Sequence, residues 1–264
     1  MAIRSELSIS AATSATKRIL SRKLWFLCVI ALAFTILPLH SIACGQFEEN
    51  PTKKYMGRVI APTMTFHGAS WLIRPEREQE EAPSQVLEQL QIKPGMTVVD
   101  FGCGNGFYSL PMARMVGKEG KVLAVDIQPE MLQMLKERAA TEGVDNVEPI
   151  LSTEKDTKLP AEAVDLLILV DVYHEFSFPK QMLAGIRQSL KDDGVVALLE
   201  YRAEDPTVPI KPLHKMSKKQ ILKEYEANGF KLVKEFDGLP WQHLMFLGRD
   251  NEWKSKESSA PAKR

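Results

Sequence analysis

The stretch Val98-Val99-Asp100-Phe101-Gly102-Cys103-Gly104-Asn105-Gly106 constrains this chain more than any other. A short apolar strand runs straight into a loop with glycine at every second position, and a helix is expected from near Phe107. Glycine has no side chain to hold a ligand off the backbone and it tolerates positive φ. Three glycines in five residues therefore make a tight turn with exposed amides, suited to a nucleotide-like ligand.

Spacing narrows the ligand. The dinucleotide fingerprint G-x-G-x-x-G would put its third glycine where Phe107 stands, so a nicotinamide-dependent oxidoreductase fails on this count. The run is instead Asp-x-Gly-x-Gly-x-Gly, with Asp100 at the strand end. A carboxylate there repels phosphate and attracts an ammonium, which suits an amino acid joined to a nucleoside. Lys121 to Val125 reads as the next strand and ends in Asp126, 24 positions beyond Gly102. An acid at that strand tip is placed to accept hydrogen bonds from ribose hydroxyls. The same carboxylate can also cap a helix opening at Pro129.

On these residues the chain resembles the class I S-adenosylmethionine-dependent methyltransferases, whose first motif matches residues 98–106. The resemblance implies an α/β, Rossmann-like sheet of seven strands with helices on both faces and an antiparallel C-terminal strand pair. It implies S-adenosyl-L-methionine as cofactor, held by Asp100, Gly102, Cys103, Gly104, Gly106, Asp126, Ile127, Thr153 and Asp171. In one place the chain departs from the family. Where an acid commonly binds the adenine amino group, it carries Ser152-Thr153-Glu154, which leaves Thr153, Glu154 and Asp156 open as acceptors.

Val164 to Val170 is a nearly continuous apolar run, as expected of a central parallel strand covered on both faces. It ends in Asp171-Val172-Tyr173-His174-Glu175-Phe176, which resembles the family's fourth motif and should face the same crevice. Methyl transfer is an in-line displacement at an activated carbon, so the cofactor carries the reactivity and the protein supplies alignment. If the acceptor carries a proton, His174 is the candidate general base, with Glu175 or Asp171 to orient it, and Tyr173 to pack on cofactor or acceptor. The competing reading of His174 is a capping or packing histidine at a strand end.

The remaining elements follow from punctuation. A short helix is expected from Ser84, as N-cap, to Leu90. A helix opens at Pro129, and Val147 to Leu151 is an edge strand because of Pro149. Pro179 to Leu190 is a helix, and Lys191-Asp192-Asp193-Gly194 is a turn before a strand from Val195 to Tyr201. An irregular, proline-rich segment follows, in which Arg202, Lys211, His214 and Lys215 are either anion-binding or scattered surface charge. Ser217 with Gln220 makes a capping box, and two strands, from Phe230 and over His243 to Leu247, close the sheet.

Around that core, residues 86–249, lie appendages. Residues 1–43 have basic residues, an uncharged apolar run from Leu24 to Leu39, then small residues Ser41 and Ala43, which is the layout of a secretory signal. Cleavage after Ala43, lipid processing at Cys44, and retention as an N-terminal membrane anchor are the three outcomes, and each places the protein outside the cytoplasm. Residues 44–85 form an extension whose Tyr55, Arg58, His67 and Trp71 are candidate lid residues, and its charged run Arg74 to Glu81 reads as a solvated face or a helix start. Residues 250–264 read as a disordered polar tail.

Charge does not announce the partner. Lysine plus arginine equals aspartate plus glutamate, 34 each, so no global field favours nucleic acid, and a small-molecule acceptor is expected. No histidine or cysteine cluster has metal-ligand spacing, so no metal is expected. Cys103 reads as a small residue in a crowded turn rather than as a catalytic thiol. The alternative to an enzyme is a non-catalytic binding or scaffold protein that keeps the fold.

Overall fold

The computed structural model describes residues 53–254. The signal segment, Cys44 and residues 255–264 lie outside the described residues. Among the described residues no helix is long and apolar enough to cross a membrane.

The described chain opens with a hairpin, β1 (Lys54–Tyr55) and β2 (Arg58–Val59), then a 3-10 segment Phe66–Ile73 and two short helices, α1 (Arg77–Glu81) and α2 (Pro83–Gln89). Strands and helices then alternate: β3 (Thr97–Phe101), α3 (Ser109–Val116), β4 (Lys121–Asp126), α4 (Pro129–Glu142) and β5 (Val147–Leu151). The second half runs β6 (Val164–Val170), a 3-10 turn Tyr173–Glu175, α5 (Pro179–Ser189), β7 (Leu190–Arg202), a 3-10 turn Pro212–His214 and β8 (Lys215–Met216). It ends with α6 (Lys218–Glu226), β9 (Phe230–Phe236) and β10 (Gln242–Arg249).

The main sheet has the order β5-β4-β3-β6-β7-β10-β9, with the two-residue β8 paired to β7 beside that path. The first five strands of that order are parallel, and β10 runs antiparallel to both β7 and β9. The expected seven-stranded sheet with its antiparallel C-terminal pair is therefore present. Side chains alternate along each strand, so the sheet makes two cores. Val99, Leu123, Leu167 and Leu198 face α5 and α6 through Leu183, Ile186 and Tyr225. Val98, Val122, Ile168 and Leu199 face α2 and α3 through Val86, Met112 and Val116. Because β4 lies to one side of β3 and β6 to the other, the chain reverses its direction of build there, and a crevice opens beyond the carboxyl ends of the two strands.

Several local expectations change. Ser84 is not the N-cap of α2; Ala82 holds that position and Pro83 is the first helical residue, where proline's missing amide costs nothing. Ser217 does accept the Gln220 amide at 3.2 Å, but the Gln220 side chain turns away to Met56 and Glu224, so only half of the capping box forms. The turn expected at Lys191 to Gly194 lies within β7, which starts at Leu190 and changes register against β6 there. Residues 250–254, expected within a disordered tail, are docked on the domain. The Asp250 amide bonds the Gly229 carbonyl at 2.8 Å, the Arg187 guanidinium bonds the Asp250 carbonyl, and the same guanidinium lies over the Trp253 ring.

Candidate active site

A cavity with about 930 Å³ of empty space, its open mouth included, occupies that crevice. Its floor is the glycine loop and the tips of β4 and β6, and its roof is the segment around Thr63, Met64, Trp71 and Leu72. Gly102, Gly104, Asp126, Ile127, Thr153 and Asp171 all stand in the wall, together with Glu175. Asp100, Cys103, Gly106 and His174 do not.

The loop works by shape rather than by amides. The Gly102 and Cys103 amides both donate to the Val125 carbonyl, Gly104 donates to Asp126 Oδ2 at 2.9 Å, and Gly106 donates to the Cys103 carbonyl. The amides of all three glycines, expected to be exposed, are thus engaged inside the protein. Gly102 has φ +74, and a Cβ there would stand 2.5 Å from a Val172 methyl; Gly104 has φ +53, and its Cβ would stand 2.6 Å from a Leu72 methyl. Both positions need glycine for conformation and for space.

Asp100 does not face the cavity. It is buried and accepts the Ser109 hydroxyl at 2.6 Å, bracing the loop against the start of α3. Burial pushes its carboxyl up to about 6, against the lowering effect of Ser109. Cys103 is buried against Ala124, Leu132 and Leu135, and burial raises its thiol well above the ordinary value, so it is not a nucleophile. Gly106 packs on Leu135 of α4.

Asp126 takes the role of anchoring the start of α4 and stands where the ribose role would need it. Oδ2 pins the Gly104 amide, and Oδ1 accepts the Gln128 amide at 2.9 Å at the start of α4, while the residue itself lines the cavity. Asp171 has the unusual φ of +52 for a residue with a side chain. Its Oδ2 accepts the Gln242 amide at 2.6 Å, whereas its Oδ1 is buried without a hydrogen-bond partner. Burial, then the charges of Glu81 and Glu200, raise this carboxyl well above its usual range. Ser152 Oγ is a second buried, unpartnered polar atom in the wall, beside Thr153 and Glu154. Asp156 lies outside the wall, in an exposed turn with its carboxylate on Lys158.

His174 is oriented by neither of its expected partners. Its Nδ1 lies 2.6 Å from Glu200 Oε2, its Nε2 lies 3.0 Å from His214 Nδ1, and Glu175 Oε1 stands 3.8 Å from Nε2. Asp171 makes no hydrogen bond to it. Burial pulls the imidazolium down, but the charge and hydrogen bond of Glu200 overcome that, so the ring is held above its ordinary value. A buried ring with both nitrogens engaged is not poised to take a proton from an acceptor. Tyr173 is also turned inward, its hydroxyl donating to Glu224 at 2.6 Å.

The extension supplies a strap rather than four lid residues. Only Trp71 of the expected set lines the cavity. Tyr55 meets Asn228, Arg58 pairs with Glu224 and holds the Tyr173 and His174 carbonyls, and His67 stacks on Phe66. The strap is tied by Gln128 and Arg77, which sequence reasoning passed over, and by Glu175 in a role it did not foresee. Gln128 accepts from the Phe66 amide at 2.8 Å and donates to the Met64 carbonyl at 3.0 Å, and Glu175 accepts the Met64 amide at 3.1 Å. Arg77, buried over Phe107, donates to the Leu72 carbonyl and to Glu81, which also receives Arg74 and the Tyr201 hydroxyl. The charged run is thus a helix start, but not a solvated face. Glu200 had one sequence signal, an acid inside the apolar run of β7; Gln128 and Arg77 had none.

Sheet order, with five parallel strands and an antiparallel end, and a glycine loop at the tip of β3 give an α/β fold of the methyltransferase type. A profile of the family described as "Methyltransferase domain" matches residues 92–251, and the chain belongs to that family. It is 26% identical over 116 residues to a ubiquinone/menaquinone biosynthesis C-methyltransferase of Marinomonas sp., covering 44% of this chain and 46% of that one. It is 32% identical over 168 residues to a ribosomal protein L11 methyltransferase of Photobacterium profundum, covering 61% and 51%. The chain spans about half the length of these curated relatives. Among solved structures, a SAM dependent methyltransferase from Aquifex aeolicus is similar with a TM-score of 0.66 at 28% identity, covering 70% of this chain and 98% of that one.

Proposed function

We propose that this protein is an S-adenosylmethionine-dependent methyltransferase acting on a small-molecule acceptor. The observation that carries the reading is the pair of acids in one cavity wall, Asp126 and the half-partnered Asp171, with the glycine loop as its floor. A buried acceptor oxygen without a partner costs about 1–3 kcal/mol, a deficit that a ligand's ammonium removes. Asp171 Oδ1 is therefore the seat of the amino group of the methionine half. Asp126, with both oxygens fixed from behind, meets the ribose hydroxyls. Ser152 Oγ and Thr153 take the adenine edge, where the chain lacks the usual acid. When bound, the cofactor supplies an activated methyl carbon for in-line displacement. The strap of Thr63 to Leu72 keeps water out and holds the reactants in line. One relative is a ubiquinone/menaquinone biosynthesis C-methyltransferase and another a ribosomal protein L11 methyltransferase; the largely apolar cavity of this chain favours the small molecule.

Calorimetric titration of the full-length chain with S-adenosylmethionine and, in parallel, NADH tests the proposal. Micromolar binding of the first alone is expected, weakened about 10- to 100-fold by Asp126→Ala, the worth of hydrogen bonds to a charged group. A folded protein that binds neither leaves the non-catalytic scaffold in its place. The N-terminal reading extends the proposal to export: a reporter fused after Gly45 is expected outside the cytoplasm, and a cytoplasmic signal rejects it.

A further inference from the structure

The geometry points to a binding site for one divalent first-row transition-metal ion, formed by His174 Nε2, His214 Nδ1 and the Glu175 carboxylate. The three donor atoms lie within 4.8 Å of one another. Nε2 and Nδ1 are 3.0 Å apart, and Glu175 Oε1 is 3.8 Å from each. Two atoms bound at about 2.1 Å to one ion stand about 3.0 Å apart at a right angle and about 3.4 Å apart at a tetrahedral one. One ion therefore fits between them after a shift of less than about 0.5 Å in Glu175.

Two further features suit a metal rather than a plain histidine contact. The far nitrogen of His174 is held at 2.6 Å by Glu200 Oε2, and Glu200 also accepts the His174 backbone amide at 3.1 Å. A carboxylate on the distal nitrogen is the arrangement that fixes the ring and raises the basicity of a metal-bound imidazole. Metal binding takes the ligands in their deprotonated forms, and two neutral imidazoles with the ionised Glu175 and Glu200 carboxylates would then carry the two negative charges that a divalent ion neutralises. The donor set, two histidines and one carboxylate, is that of zinc and non-haem iron sites, with positions left for other ligands. Glu175 is at once a wall of the cavity and the anchor of the Met64 amide, so the ion sits where strap and cavity meet. Sequence spacing hides the set, because His214 comes 40 residues after His174, on the turn before β8.

The test uses the untagged full-length chain, stripped with a chelator and titrated with zinc chloride by calorimetry and with cobalt(II) by visible absorption. One equivalent of each is expected to bind, with a cobalt ligand-field band of nitrogen and oxygen coordination. His214→Ala, at a half-exposed turn, and the near-isosteric Glu175→Gln are each expected to weaken zinc at least tenfold, and Glu200→Gln by about 10- to 100-fold. Absence of one-to-one binding, or binding that His214→Ala leaves unchanged, overturns the site. S-adenosylmethionine titration of the same samples separates the two proposals: cofactor binding without metal binding sinks only the metal site, and the reverse sinks only the methyl-transfer reading.

Discussion

At the scale of single residues, burial decides what each acid does. Asp100 was the first acid legible in the sequence, yet its strand turns it inward, where it costs stability. Its folded value of about 6 lies above an ordinary value of about 3.9. An acid raised in the folded state favours folding fully below the unfolded value, and that contribution is lost as pH rises through about 6. The ionised group therefore costs about 3 kcal/mol above pH 7. Asp100→Asn, which keeps an acceptor for Ser109, is expected to raise the urea midpoint at pH 8, with the advantage roughly halved at pH 5. An advantage independent of pH would show that the charge is not its source. Asp171 and Asp100 are two acids at neighbouring strand tips with opposite fates: one stays in the wall with a free oxygen, the other becomes a brace.

At the scale of elements, the glycine loop, the charged run and the strap behave differently from their sequence patterns. Gly102→Ala places a methyl 2.5 Å from Val172 at φ +74. It is expected to lower stability by about 2 kcal/mol, read from the urea midpoint. Arg77 is buried with Glu81, so Arg77→Ala leaves an acid without one of its cations and is expected to cost about 3–5 kcal/mol. A loss below about 1 kcal/mol would mean that the pair is solvated after all. The strap rests on few bonds. Gln128→Ala removes two of them from a partly exposed site, so faster release of S-adenosylmethionine in stopped flow is expected with little change in melting temperature. Unchanged release would show that the strap does not gate the cavity.

At the scale of the whole molecule, the parts that sequence by itself determined are those with strong local physics. The limits of β6 follow from an apolar run covered on both faces, the edge position of β5 from a proline that cannot serve a central strand, and the glycine loop from its φ angles. Pattern and resemblance together carried the seven strands with their antiparallel end and the six of the nine expected cofactor residues that stand in the cavity wall. Tertiary structure alone decided which polar atoms meet. It set Glu200 rather than Asp171 on His174, brought His214 to the same ring across 40 residues, and drew Arg77 out of solvent. It also docked Trp253 under Arg187 where composition predicted a free tail. The reason is range. Periodicity, capping and turn chemistry act within a few residues and are written in neighbouring letters. The partner of a buried charge is chosen by whichever distant side chain the folded sheet delivers within about 3 Å, and no local spacing records it.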